Sequence, residues 1–202
     1  TQSYVVALDK DTGEIAWKVA RPMAKSGHST PVLYRGESGI LEVIVPGSFL
    51  LTSYAVQTGQ RLWWVSGLSF EMKSTPVLAD GMIFINGYGA PENQPGRNIE
   101  ATTFDVSLRE NDKDQNGLIS KDEAVGHVRS WFGFVDLNQD DSMNADEWDY
   151  YVAALASRNG ILGIRVGGEG DMTSLNTVWT YDQRVPQLPS PLLYGGILYM
   201  VN

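Results

Sequence analysis

The chain has 202 residues, no cysteine and a formal net charge of −9. The lack of cysteine excludes disulfide frameworks, thiolate metal sites and thiol nucleophiles, and no apolar run reaches membrane-crossing length. The charge is concentrated: Glu92 to Arg158 hold 14 of the 24 acidic and 6 of the 15 basic residues, which leaves the remainder nearly neutral. Such a block repels nucleic acid and anionic membrane, and it attracts cations.

The opening residues Thr1 to Leu8 read as the interior of a strand, so the native chain is expected to begin upstream. A motif follows at once: Ala7-Leu8-Asp9-Lys10-Asp11-Thr12-Gly13-Glu14-Ile15-Ala16-Trp17. It returns as Ser53 to Trp63, with Thr58-Gly59 at the turn, and a degraded third copy ends at Trp179. Each copy reads as a strand, a Thr-Gly turn and a strand closed by Trp; the glycine permits the positive φ of a hairpin turn. A second series starts at Ser29-Thr30-Pro31, Ser74-Thr75-Pro76 and Pro189-Ser190-Pro191, each followed by a turn and an apolar stretch. Proline cannot donate to a ladder, so Pro31 and Pro76 are expected to begin strands.

The two series keep one register. Trp17 to Trp63 is 46 residues and Pro31 to Pro76 is 45, whereas Trp63 to Trp179 is 116 and Pro76 to Pro191 is 115. One repeat has therefore gained 70 residues, between Tyr88 and Ile161, which coincides with the acidic block. Four short strands per period of about 40–50 residues is the sequence form of a propeller blade. The expected fold class is all-β: blades of a partial β-propeller, each a four-stranded antiparallel sheet, at residues 1–90 and 160–202, with a small α-helical insertion at 91–159. The blades run from two outer strands, through one complete and one interrupted blade, to two inner strands ending at Asn202. A closed propeller needs at least four blades, so a longer parent protein is expected.

The pattern filled by Ala7, Asp9, Thr12, Gly13 and Trp17 resembles the tryptophan-docking repeat of quinoprotein-like (PQQ-like repeat) propellers. That family includes pyrroloquinoline-quinone dehydrogenases and non-catalytic relatives such as the propeller lipoprotein of outer-membrane assembly. The resemblance implies that Trp17, Trp63 and Trp179 are struts between blades. It also implies an extracytoplasmic location, periplasmic or at the cell surface. In the second copy Ser53 and Ala55 replace the family's Ala and Asp.

Within the insertion, two twelve-residue windows start at Asp112 and Asp136. Calcium takes six to eight oxygens, which a loop of this type supplies from positions 1, 3, 5, 7, 9 and 12. In the first loop these are Asp112, Asp114, Asn116, the Leu118 carbonyl, Ser120 by way of water, and Glu123. In the second they are Asp136, Asn138, Asp140, the Ser142 carbonyl, Asn144 by way of water, and Glu147. Both windows are similar to the EF-hand loop. Gly117 fills position 6 of the first, where the chain turns sharply; Asp141 stands there in the second, so a weaker second calcium site is expected. Ile119 and Met143 take position 8, where paired loops make a short β contact. Gly126 and Gly133 are expected to weaken a continuous helix between the loops. Val128, Trp131, Phe132 and Val135, then Trp148, Tyr151, Val152 and Leu155, fall at helical spacing and read as core.

The expected function is a calcium-binding propeller segment acting as a non-catalytic binding or assembly scaffold, with another protein or further blades as partner. The alternative is part of a pyrroloquinoline-quinone-dependent dehydrogenase, in which His28 and Lys73, at equivalent places before Pro31 and Pro76, would contact the ligand; Leu188 takes the third such place. No quinone is expected. Two histidines without cysteine assemble no triad or zinc motif, and Gly87-Tyr88-Gly89 and Gly167-Gly168-Glu169-Gly170 read as turns.

Overall fold

The computed structural model describes residues 3–22, 24, 27–36, 39–183 and 185–201. Thr1 and Asn202, invoked for the strands at the two ends, lie outside them. In chain order the strands are β1 (Tyr4–Leu8), β2 (Ile15–Ala20), β3 (Val32–Arg35), β4 (Leu41–Pro46), β5 (Leu50–Ala55), β6 (Arg61–Ser66), β7 (Val77–Ala79) and β8 (Met82–Gly87). Then come α1 (Phe104–Asn111), β9 (Ile119–Ser120), α2 (Gly126–Val135), β10 (Ser142–Met143) and α3 (Ala145–Ala156). The chain continues through β11 (Gly160–Arg165), β12 (Gly170–Asp171), the single turn α4 (Thr173–Asn176), β13 (Thr177–Tyr181), β14 (Leu192–Tyr194) and β15 (Ile197–Tyr199).

These elements divide into two compact units, residues 98–156 and the two segments flanking them. The flanking unit is built of antiparallel sheets. β3 to β6 form a meander in chain order, and β7, β8, β11 and β13 form a second. β1 pairs with β2 and β14 with β15 as two-stranded sheets. β12 adds to the outer edge of β6 in parallel, Gly170 opposite Trp63. The sequence had marked that stretch only as a turn. Four-stranded meanders in succession fit the blade pattern.

Local chemistry explains the hairpins. Asp9 Oδ1 accepts the backbone N–H of Asp11 and Thr12, both at 2.9 Å, and the Thr12 hydroxyl, while Gly13 supplies φ +74°. Those donors hold the Asp9 carboxyl below its ordinary range, the Thr12 N–H contributing most. Asp80-Gly81 and Gly195-Gly196 have positive φ at both positions, the turn that matches strand twist.

The core fills the space where the two meanders pack. Ile44, Leu51, Trp63 and Val65 from the first meet Ile83, Ile85, Leu162 and Ile164 from the second, with Leu68 and Met72 from the connection. Each such side chain contributes about 1.5–3 kcal/mol when it leaves water. Trp17 behaves as the expected strut: its indole N–H donates to the Val56 carbonyl at 2.8 Å, on the next sheet. Trp63 is fully buried in the shared core, but its N–H donates to the Glu42 carboxylate of its own sheet at 2.8 Å. Trp179 stacks on Phe84, also within its own sheet. The Ser-Thr-Pro stretches bond to one another across repeats: Ser29 Oγ donates to the Ser74 carbonyl, and Thr75 N–H to Ser190 Oγ.

The interruption enters between two paired strands. Gly87 and Gly160 are partners in the ladder of β8 with β11, so the sheet continues as though a hairpin joined them. Asn159 closes the gap: its Oδ1 accepts from Gly89 N–H at 2.6 Å and its Nδ2 donates to the Ala90 carbonyl at 2.6 Å. Asn93 Oδ1 in turn accepts from Ala90 N–H at 3.1 Å. The compact unit begins at Asn98 and ends at Ala156, inside the 91–159 interval read from the sequence.

Candidate metal centre

The unit at 98–156 is three helices joined by two acidic loops. Thr103 caps α1 by accepting Val106 N–H at its hydroxyl, and Trp148 of α3 donates its indole N–H to the Thr102 carbonyl at 2.9 Å. α2 is one helix despite its glycines. Gly126 lies in its first turn and Gly133 on its solvent face, while Val128, Phe132 and Val135 are buried and hold it by packing. α3 departs from the expected stripe. Tyr150, Tyr151, Ala154 and Leu155 are buried with Glu147 and Trp148, whereas Val152 is 37% exposed. The buried arc centres near Tyr151 and Glu147, which brings Tyr150 in and turns Val152 out. Desolvation pushes both the Tyr150 and Tyr151 phenols up.

The loops share one backbone course. Position 4 is left-handed in both, with φ +59° at Gln115 and +64° at Gln139, and so is position 6, with φ +79° at Gly117 and +60° at Asp141. Aspartate is among the few residues that visit this region readily. Asp141 N–H donates to Asp136 Oδ2 at 3.1 Å, as Gly117 N–H does to Asp112 Oδ2 at 3.0 Å. The strands β9 and β10 pair antiparallel, Met143 opposite Ile119 and Ser142 opposite Ser120, and both apolar side chains are fully buried. The position-8 contact therefore forms despite the short connection between the loops.

In the first loop, Asp112, Asp114 and Glu123 each bring a carboxylate oxygen within 4.8 Å of the others. Two oxygens that both reach a calcium-sized ion at about 2.3–2.6 Å stand no more than about 5 Å apart, so the three could share one cation. Asn116 Oδ1 accepts Leu118 N–H at 2.9 Å, and Asn116 Nδ2 donates to Asp114 Oδ2 at 3.0 Å. Glu123 is buried; its Oε1 accepts Lys113 N–H at 2.8 Å, and its Oε2 accepts the Ser120 hydroxyl at 2.7 Å and the Ser120 N–H. The Ser120 donors, with Lys113 N–H, hold its carboxyl down to about 2.

The second loop repeats the scaffold without the same convergence among the described residues. Asp136 Oδ1 accepts Gln139 N–H, Asn138 Nδ2 donates to Asp140 Oδ2 at 2.8 Å, and Asp140 Oδ1 accepts Ser142 N–H at 2.9 Å. Glu147 Oε1 accepts Leu137 N–H at 2.8 Å. Glu147 also completes a reciprocal cap at the start of α3: its Oε2 accepts Asn144 N–H and Asn144 Oδ1 accepts Glu147 N–H, both at 3.1 Å. Every donor atom in the two sets is oxygen, the chemistry of a hard cation such as calcium or magnesium.

The residues weighed for a quinone pocket have other contacts. Lys73 forms an ion pair with Glu71, and the His28 backbone N–H donates to the Met72 carbonyl. The buried Glu42 was not foreseen. It sits within an apolar run, yet it shares a strand face with Ile44, and that period-2 position was the signal for burial. Among the described residues, no helix is long and apolar enough to cross a membrane.

No family model matches the chain. Among curated proteins, it is similar to the outer membrane protein assembly factor BamB of Francisella salina, 28% identical over 88 residues. That alignment covers 43% of this chain, and the chain spans 15% of the relative's length.

Proposed function

We propose that residues 98–156 form a pair of EF-hand-type loops that bind two calcium ions, and that the flanking sheets are blades of a propeller serving as a non-catalytic assembly scaffold outside the cytoplasm. The observation that carries the calcium reading is the convergence of Asp112, Asp114 and Glu123 within 4.8 Å in a loop of the right register. The ligands are Asp112, Asp114, Asn116, the Leu118 carbonyl, Ser120 and Glu123 in the first loop, and Asp136, Asn138, Asp140, the Ser142 carbonyl, Asn144 and Glu147 in the second. Saturated sets of this kind leave no open position for substrate, which suits a structural ion better than a catalytic one. Binding only to the folded unit would stabilise it by mass action.

The scaffold reading is supported by successive antiparallel meanders, by Trp17 docked on the next sheet, and by the similarity to a protein named for outer-membrane protein assembly. The partner is then another protein or further blades. Calorimetric titration of the chelator-treated chain tests the metal. Two sites are expected, the tighter lost in Glu123→Gln and the weaker in Glu147→Gln, with the sheets intact by circular dichroism. No heat and no thermal stabilisation at millimolar calcium would end this reading.

A further inference from the structure

We infer that a cavity beside Glu42, between the two meanders, is a binding site for an alkylammonium group. The cavity has a volume of about 540 Å³ and is lined by Tyr34, Glu42, Asp80, Met82, Arg165 and Val166 among others. It lies wholly within the sheet unit, far in sequence from the acidic loops, and the inference is independent of calcium.

Glu42 is the unusual group. It is 5% exposed, and both hydrogen bonds to its carboxylate fall on one oxygen: Oε2 accepts the Ser53 hydroxyl at 2.6 Å and the Trp63 indole N–H at 2.8 Å. Among the described residues Oε1 has no hydrogen-bond partner, yet it is not one of the sealed polar atoms, so it opens on the cavity that Glu42 lines. No ion pair reaches Glu42 among the described residues. A buried carboxylate without a cation is costly, and one supplied by a ligand removes that cost.

The geometry selects the kind of cation. With Oε2 already occupied by two donors, a single oxygen remains. A guanidinium fork gains most from two parallel oxygens, whereas an ammonium is a point charge that needs one. Met82 and Val166 offer apolar surface to a methylene stem, Tyr34 lines the same space, and exposed Asp80 adds a second carboxylate. Arg165 also lines the space, exposed to solvent, and opposes the ligand's charge.

The test is calorimetric titration of the full chain at low salt with cadaverine, a free diamine, and with N-acetyl-lysine methylamide, which stands for a lysine side chain of a protein. The tighter of the two names the source. Glu42→Gln retains an acceptor for Trp63 and Ser53 and removes the charge; it should weaken binding at least tenfold, the acidic loops contributing equally to both proteins. Asp80→Asn should weaken it severalfold and Arg165→Gln should tighten it. Methylammonium should bind more tightly than methylguanidinium. If Glu42→Gln fails to fold by near-ultraviolet dichroism, the Asp80 and Arg165 variants and the order of the two cations decide. Equal binding by wild type and Glu42→Gln, no binding of either amine, or a preference for guanidinium overturns the inference.

Discussion

Gly59 and Gly13 occupy the same place in two copies of one motif, and alanine substitutions at the two should have very different costs. Both glycines are left-handed, with φ +72° and +74°, so both substitutions carry the same backbone penalty, about 1–2 kcal/mol. Their surroundings differ. A Cβ on Gly13 meets nothing within 4 Å, whereas one on Gly59 lies 2.6 Å from Trp17 Cε3 and 3.0 Å from Val19 Cγ2. The indole must move. It then loses its bond to the Val56 carbonyl, worth about 1 kcal/mol, and uncovering roughly 40–80 Å² of ring adds about 1–2 kcal/mol. Gly59→Ala should therefore cost about 2–3 kcal/mol more than Gly13→Ala, read as the difference in urea unfolding free energies. In a Trp17→Ala background the difference should shrink to what the Val19 contact alone imposes, which isolates the docking contact. Equal costs in the wild-type background would refute the idea that this Trp couples adjacent sheets.

Three further outcomes are expected. Asn159→Ala removes both side-chain bonds that close the root of the insertion; the Ala90 carbonyl keeps the Asn93 N–H at 3.0 Å, but Gly89 N–H is left to find another partner; at about 1–3 kcal/mol for the orphaned group, proteolysis between Tyr88 and Asn98 should accelerate markedly. Ile119→Ala empties a fully buried place in the ladder between the two loops; it should lower the unfolding free energy of the 98–156 unit by about 2–4 kcal/mol and abolish any cooperativity between the two proposed calcium sites. Asp9 titrates below its ordinary value when folded, so its contribution is complete above about pH 4 and fades as pH falls through the folded pKa. Nuclear magnetic resonance titration should show this depression, and Asp9→Asn should flatten the acid limb of stability; an Asp9 carboxyl titrating at its ordinary value contradicts the turn assigned to it.

The sheet unit was legible because two unrelated motif series carry the same offset, which placed the interruption between Tyr88 and Ile161, next to the Gly87 and Gly160 pair that the ladder forms. Turn glycines and strand-starting prolines are local signals, and local signals survive in sequence. What stayed hidden depends on partners distant in the chain. β12 is glycine-rich and has no apolar period, so nothing marks it for the edge of β6. Glu42 shares a strand face with Ile44, but the partners that hold its carboxylate, Trp63 and Ser53, come from the two following strands. In the acidic unit the two twelve-residue windows were readable because they share one pattern, and both take one backbone course, left-handed at positions 4 and 6. The helix faces were less so: spacing of three and four admits several arcs, and only packing chose the one that holds Tyr150 and excludes Val152.

A chain that departs from a sheet at Gly87 and comes back at its ladder partner Gly160 leaves the sheet indifferent to what lies between. The excursion behaves as a plug in a socket: its length adds little closure entropy when it folds on its own, and its content can change without retuning a single strand. The same position would accept a short turn, a reporter domain or new chain termini, so the sheet unit can acquire or shed an inserted unit in one genetic event while its strands keep their register.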